Sequence, residues 1–189
     1  MSHYAKPIVL MSLGMPGAGK SHFMRSLSEQ LNIIRINSDS MRRSIFGSVK
    51  NMDKVRDEQG RAVLIEYTFG ALDYVAEQIV SCGNDLIYDA QFNEAKNRLA
   101  LASLAEKHGA VGIVVHVDTP VEVALARGQS RETTLDSRQH SEERMREVIE
   151  RHLQSVEMPG ADENVIKIDG QAPFEEQLAS FEEQLEKLL

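Results

Sequence analysis

Near its N-terminus, the sequence contains a stretch whose residue types and spacing could hold the phosphates of a nucleotide. Residues 14–21 read Gly-Met-Pro-Gly-Ala-Gly-Lys-Ser, which matches the phosphate-loop pattern G-x-x-x-x-G-K-S. Small residues in such a loop allow successive backbone N–H groups to point into one concavity that binds phosphate oxygens. Here the small residues are Gly14, Gly17, Ala18 and Gly19. We therefore predict that this stretch binds a nucleotide.

Three side chains that follow the glycines extend the predicted site. Lys20 can reach the β- and γ-phosphates, and Ser21 can ligate Mg²⁺. A helix that begins here adds the partial positive charge of its N-terminus. We assign His22 to the nucleotide site as well, although the sequence leaves open whether this side chain faces the nucleotide or solvent.

Carboxylates follow several of the predicted strands. Asp39 lies just past the second strand, Asp89 ends the third and Asp118 ends the fourth. Ligands of open parallel sheets lie beyond the carboxyl ends of the strands, but helix capping places Asp at the same positions. For Asp118 the capping interpretation is favoured. A carboxylate beside the phosphate loop can hold Mg²⁺ together with a serine, and we predict that role for Asp89.

A second carboxylate is paired with an arginine three residues later. Asp39 and Arg42 would lie on one face of a helix that starts near residue 38. Such a pair suits a phosphoryl acceptor, because the carboxylate can accept the hydroxyl proton while the guanidinium holds the acceptor. The alternative is that Asp39 caps the helix and forms an exposed ion pair.

Two arginines, Arg127 and Arg131, lie one helical turn apart at the start of a polar segment. Arginine matches phosphoryl oxygens with its fixed fork of donors and also stacks on bases. On a lid over about residues 127–140, the pair would close over the nucleotide, exclude water and neutralise charge in the transition state. The alternative is a solvated pair in a polar loop.

The elements that must position these groups are predicted from the hydrophobic pattern. Apolar runs alternate with amphipathic segments, which indicates an α/β fold with a parallel sheet. We predict strands at 7–13, 33–37, 85–89, 111–117 and 165–168. We predict helices at 38–46, 61–82, 94–108, 141–153 and 174–189. Two further helices are predicted to start after residue 20 and at about residue 120. Residues 48–60 are polar and have no assignment. Residues 1–189 are expected to form one domain, with a substrate-side insertion at about 40–60 and the lid.

Composition and charge indicate which class of protein, which compartment and which partners to expect. The chain has 189 residues, 42% of them hydrophobic and 26% charged, as is typical of globular proteins. No apolar run approaches the roughly 20 residues that span a bilayer. A single cysteine and the lack of a signal-peptide pattern predict a cytoplasmic location. The net charge of −8 does not favour nucleic acid as a partner.

As an ordered set, these motifs resemble the adenylate-kinase-like group of P-loop kinases. The sequence is nearest to the branch that holds polynucleotide 5′-kinase domains, zeta-toxin-like kinases and small ATP-dependent kinases. The motifs that carry the resemblance are residues 14–21, 38–42, 89–91 with Arg98, Arg127 with Arg131, and Pro159 with Glu163.

The resemblance implies a three-layer P-loop NTPase fold with a five-stranded parallel sheet in the order 2-3-1-4-5. It also implies ATP as the phosphoryl donor and Mg²⁺ as the cofactor. The roles implied are general base for Asp39, acceptor binding for Arg42 and Arg98, adenine packing for Arg127 and phosphate contact for Arg131. Arg98 could instead be a surface residue of its helix. The loop at 169–172 falls where relatives meet the adenine edge.

The function predicted from these features is a kinase that transfers the γ-phosphate of ATP to a hydroxyl of a small molecule. One alternative is a polynucleotide 5′-hydroxyl kinase. It is disfavoured because Gln91 and Phe92 stand where that branch often has Thr-Asn. A second alternative is an ATP-binding switch that hydrolyses ATP slowly. The acceptor and the oligomeric state are not predicted.

Overall fold

The computed structural model describes residues 3–130 and 141–189, and it contains a five-stranded parallel sheet. The strands are β1 (Ile8–Leu13), β2 (Ile34–Asn37), β3 (Leu86–Asp89), β4 (Val111–Asp118) and β5 (Val165–Asp169). Their order is β2-β3-β1-β4-β5. The predicted α/β class and the predicted strand order 2-3-1-4-5 are both confirmed.

Helices connect the strands. They are α1 (Lys20–Leu31), α2 (Ser38–Phe46), α3 (Val49–Gln59), α4 (Arg61–Ser81), α5 (Ala95–Lys107), α6 (Val121–Ser130), α7 (Glu142–Ser155) and α8 (Phe174–Glu186). Helix α3 lies in the segment that had no assignment. Its apolar residues are Val49, Met52 and Val55, which are three apart, and only Met52 is buried. The polar residues around them hid this spacing. Ser48 caps the helix by accepting from the backbone N–H of Asn51 at 3.2 Å.

The sheet is covered on both faces, because successive side chains of each strand point to opposite sides. From β1, Leu10 packs on the side of α1 and α8, against Phe23 and Phe181. Met11, the next residue, packs on the side of α4 and α5, with Leu72. The result is the predicted three-layer architecture. No helix in the described ranges is long and apolar enough to cross a membrane.

The strand register gathers the candidate functional residues at one edge of the sheet. Asn37 at the end of β2 is paired with Asp89 at the end of β3. Leu13 at the end of β1 is paired with His116 of β4. Because all the strands run in the same direction, the loop after β1 and the start of α2 meet at this edge.

Candidate active site

The phosphate loop has a backbone that only glycine adopts easily. Gly14, Gly17 and Gly19 have φ angles of 139°, 83° and 99°, which side chains disfavour. The loop also packs tightly on its surroundings. A Cβ atom at Gly17 would lie 2.3 Å from the carbonyl oxygen of Ala124 in α6. Sequence spacing predicts the loop, but not this second constraint from α6.

The substitution Gly17→Ala is expected to weaken ATP binding at least about 10-fold, because strain of 1–3 kcal/mol and the clash with Ala124 both displace the loop. Titration with a fluorescent ATP analogue measures the effect. Gly83→Ala is the matched control, since Gly83 also has a positive φ of 73° but a Cβ there meets nothing within 4 Å. Wild-type affinity in Gly17→Ala would contradict the assignment of the loop.

Lys20 lies folded back over its own loop. Its Nζ donates to the carbonyl oxygens of Gly14 at 2.7 Å and Met15 at 2.9 Å. The first turn of α1 contains no acidic residue, so nothing there opposes the positive end of the helix dipole. This arrangement can bind phosphate. His22 is exposed in the same turn.

Asp89 is a buried carboxylate that faces the loop. Its side chain is 3% exposed, and its Oδ1 accepts from Ser21 Oγ at 3.3 Å and from Ser12 Oγ at 3.4 Å. Its other oxygen, Oδ2, accepts from Asn37 Nδ2 at 2.9 Å and from Arg35 Nε at 3.0 Å. A second nitrogen of the Arg35 guanidinium also bonds Oδ2, so this arginine and Asp89 form a largely buried ion pair.

Arg35 and Asn37 were not predicted as site residues. The available signal was polarity within the short apolar run Ile33-Ile34-Arg35-Ile36-Asn37. A charged residue inside a strand needs a partner, but the partner lies 54 positions away and depends on the strand order.

The oxygens at Ser21 and Asp89 fit the predicted Mg²⁺. Mg²⁺ prefers hard oxygen ligands and is usually held by one or two protein groups together with phosphates and water. Oδ1 of Asp89 and Oγ of Ser21 are the pair of atoms that would hold the ion.

Asp39 and Arg42 form the predicted pair on α2. Arg42 donates from one guanidinium nitrogen to Asp39 Oδ1 at 2.6 Å, and the two side chains are 26% and 48% exposed. Asp39 does not cap the helix, because Asn37 does so by accepting from the backbone N–H groups of Asp39 and Ser40. The alternative interpretation of Asp39 as a cap is therefore wrong. Its carboxylate stays at the site edge, held by Arg42.

Arg127 lies over the phosphate loop. Its guanidinium donates to the carbonyl oxygens of Gly170 at 2.7 Å and Ala18 at 3.5 Å. It therefore joins the loop to the 169–172 segment. Thr119, which was not predicted, also donates to the Ala18 carbonyl, at 2.9 Å. The other predicted lid arginine, Arg131, and lid residues 132–140 lie outside the described residues.

Arg98 is buried rather than turned toward a ligand. Its side chain is 0% exposed, and its guanidinium donates to both carboxylate oxygens of Glu163, at 2.6 and 2.9 Å. It also donates to the carbonyl oxygens of Phe92 and Asn93. Arg98 was predicted to bind the acceptor or, alternatively, to be a surface residue of its helix. The observed contacts match neither interpretation. They make Arg98 a clamp that holds the loop after β3.

A pair of neutral side chains, Gln91 and His152, adjoins this loop. Gln91 Nε2 lies 3.2 Å from His152 Nδ1. Burial, followed by the nearby charges of Lys20 and His116, lowers the pKa of His152 to about 4. Burial also lowers the pKa of His116, whose buried Nδ1 has no hydrogen-bond partner among the described residues. The imidazole of His152 is therefore neutral at pH 7.

Acid is expected to destabilise the protein through His152. In the unfolded chain this histidine takes up a proton as the pH falls through 6.5, whereas in the folded protein it does so only near 4. Stability is therefore lost between these values, by about 1–3 kcal/mol. Urea unfolding at pH 7 and pH 5 measures the loss. The loss should shrink in His152→Asn, which keeps an acceptor for Gln91, and should persist in the exposed control His22→Asn. An unchanged loss in His152→Asn would contradict the prediction.

Comparisons with known proteins agree with this fold. A family model described as an AAA domain matches residues 9–159. No curated protein sequence matches the chain. Among solved structures, the chain is similar to a sugar kinase from Janibacter sp. HTCC2649, with 17% identity over 96% of this chain and 95% of that chain and a TM-score of 0.64.

Two further solved structures are similar over nearly their full length. A gluconokinase from Sinorhizobium meliloti 1021 is 16% identical over 97% of this chain and 93% of that chain, with a TM-score of 0.62. A shikimate kinase from Aquifex aeolicus vf5 is 19% identical over 98% of this chain and 96% of that chain, with a TM-score of 0.59. At these identities the likeness establishes the fold. The predicted resemblance to small P-loop kinases is confirmed at that level.

Proposed function

The chain belongs to the AAA domain family of P-loop proteins, and on that premise we propose that it is an ATP- and Mg²⁺-dependent kinase. Its acceptor is a small molecule, and it transfers the γ-phosphate to a hydroxyl group. The observation that carries this proposal is the Asp39–Arg42 pair at the sheet edge that also holds the phosphate loop. A nucleotide switch needs the loop but has no need of an acceptor pair.

The donor half of the reaction uses the loop and the residues behind it. Backbone N–H groups of the phosphate loop bind the phosphates, although Pro16 has no N–H to donate. The ammonium of Lys20, which now bonds the carbonyl oxygens of Gly14 and Met15, turns to the phosphate oxygens. Ser21 and Asp89 would hold Mg²⁺, which when bound neutralises charge on the phosphates. Arg127, Arg131 and the lid are proposed to cover the nucleotide and exclude water.

The acceptor half uses α2. Arg42 holds the acceptor, and Asp39 takes the proton from its hydroxyl as the oxygen forms a bond to the γ-phosphorus. The bond between the γ-phosphorus and the bridging oxygen breaks at the same centre, and ADP leaves with the bonding electrons. Asp39 then returns the proton to solvent. We propose that residues 1–189 do this as one domain in the cytoplasm.

A metabolite screen tests the proposal. The protein is incubated with ATP carrying an isotopic label in the γ-phosphate, Mg²⁺ and pooled small metabolites, with a 5′-hydroxyl oligonucleotide in a separate reaction. Mass spectrometry should find the label in one or a few small organic esters. Label in the oligonucleotide alone would replace the small-molecule acceptor with a polynucleotide. Label in inorganic phosphate alone would contradict the proposal that the protein is a kinase.

A further inference from the structure

One amide side chain, that of Asn37, connects the two halves of the site. Its Oδ1 accepts from the backbone N–H groups of Asp39 at 3.1 Å and Ser40 at 2.9 Å. Its Nδ2 donates to Oδ2 of Asp89 at 2.9 Å and to the carbonyl oxygen of Asp89 at 3.3 Å. Asn37 is buried, with 8% of its surface exposed. The start of α2 and the carboxylate that faces Ser21 are therefore joined through a single planar group.

The orientation of this amide is fixed by its neighbours. In the opposite orientation, the NH₂ group would face two N–H donors, and the oxygen would face a carboxylate and a carbonyl. All four contacts would then be repulsive. Only the orientation described satisfies both ends, so the amide uses its oxygen for α2 and its nitrogen for Asp89.

We propose that Asn37 is a positioning residue that couples the metal-binding carboxylate, Asp89, to the proposed base, Asp39. The inference rests on the proposed function, because it assigns those roles to the two aspartates. When a nucleotide and Mg²⁺ fix Asp89, the amide of Asn37 is fixed with it and holds the first turn of α2 in place. The first turn of α2, and with it the proposed base, is then held more firmly when the phosphoryl donor is present.

Because Asp89 also pairs with Arg35, the link through Asn37 can be removed without unfolding the protein. Arg35 still bonds Oδ2 when Asn37 is replaced, so the buried carboxylate keeps its charged partner. Serine is also a good helix cap, so Asn37→Ser retains the cap of α2 while it loses the link to Asp89. This variant removes the coupling, while the cap of α2 and the ion pair of Asp89 with Arg35 remain.

Hydrogen exchange measured by NMR tests the coupling without any acceptor. The amides of Asp39 and Ser40 are followed in the full-length protein, with and without Mg²⁺ and a non-hydrolysable ATP analogue. In the wild type we expect their exchange to slow at least about 5-fold on binding, as local opening of the turn becomes rarer. In Asn37→Ser we expect no slowing. The amide of Asn51, bound to the Ser48 cap of α3, is the internal control and should not change in either protein.

A second measurement follows the metal. Loss of a group that orients a metal ligand typically costs about 10-fold or more in metal affinity, so Asn37→Ser should need about 10-fold more Mg²⁺ to support binding of a fluorescent ATP analogue. The control Asn51→Ser, an exposed substitution of the same kind, should match the wild type.

The outcomes separate this inference from the proposed function. No slowing in the wild type, or equal slowing in Asn37→Ser, would overturn the coupling and leave the kinase proposal standing. Slowing that depends on Asn37 would support the coupling even if the metabolite screen found no phosphorylated acceptor. A wild-type Mg²⁺ requirement in Asn37→Ser would overturn the role of Asn37 in orienting Asp89.

Discussion

Replacing Asp39 with asparagine is expected to reduce phosphoryl transfer by about 100- to 10,000-fold while ATP binding stays near the wild-type level. Asparagine has the same size but cannot take up the hydroxyl proton, and general base catalysis contributes in this range. ATP binding should survive because the loop and Asp89 are unchanged. The measurements are formation of the phosphorylated acceptor found in the metabolite screen and titration with a fluorescent ATP analogue.

The chain offers a matched control for Asp39→Asn. Asp53 on α3 also pairs with an arginine three residues later, at 2.9 Å from Arg56, and both side chains of that pair are about half exposed. Asp53→Asn therefore removes a similar ion pair from α3 instead of α2, and it should keep wild-type transfer. If Asp39→Asn retained full transfer, Asp39 would not be the base, and the acceptor half of the mechanism would have to be assigned to other residues.

Replacing Arg98 with methionine is expected to destabilise the fold by about 3–5 kcal/mol, a large part of the 5–15 kcal/mol typical of native proteins. The substitution leaves Glu163, 7% exposed, without its cationic partner, and it frees the carbonyl oxygens of Phe92 and Asn93. The hydrogen bonds from the Arg98 guanidinium, with a smaller contribution from the backbone N–H of Gly160, hold the pKa of Glu163 below its usual range. Urea unfolding at pH 7 measures the change.

Two further variants serve as controls for Arg98→Met. Arg146→Met breaks an ion pair with Glu142 whose side chains are both more than half exposed, so it should cost less than about 1 kcal/mol. The double variant Arg98→Met with Glu163→Gln should recover part of the loss, since the buried charge is removed. If Arg98→Met lowered the free energy of unfolding by less than about 1 kcal/mol, the role of Arg98 as a clamp on the loop after β3 would be contradicted.

The sequence predicted the parts of this site that rest on local spacing. The loop at 14–21 and the Asp39–Arg42 pair involve neighbours along the chain, so pattern and helical geometry suffice to place them. The strand order was available through the resemblance to P-loop kinases. Asp89 lies 3.3 Å from Ser21 Oγ, as expected for a carboxylate at the end of the strand beside the loop strand, and its role in holding Mg²⁺ stays a prediction.

The residues that sequence reasoning missed depend on contacts between distant segments. Arg35 reaches Asp89 only because β2 and β3 are neighbours, and Thr119 reaches Ala18 across 101 positions. Arg98 was assigned to the acceptor through the resemblance, whereas its partner in the structure, Glu163, lies 65 positions further on. Both residues were already noted in the sequence, but their pairing depends on the fold. No local pattern carries that information.

The fate of the γ-phosphate tests the central claim most directly. The protein, ATP labelled in its γ-phosphate, Mg²⁺ and a small-molecule extract are combined, and the label is divided between inorganic phosphate and organic phosphate esters. We predict that the ester fraction exceeds the inorganic fraction for the wild type and for Asp53→Asn, and that it disappears for Asp39→Asn. Release of all the label as inorganic phosphate, at equal rates with and without the extract, would contradict the assignment of this protein as a kinase.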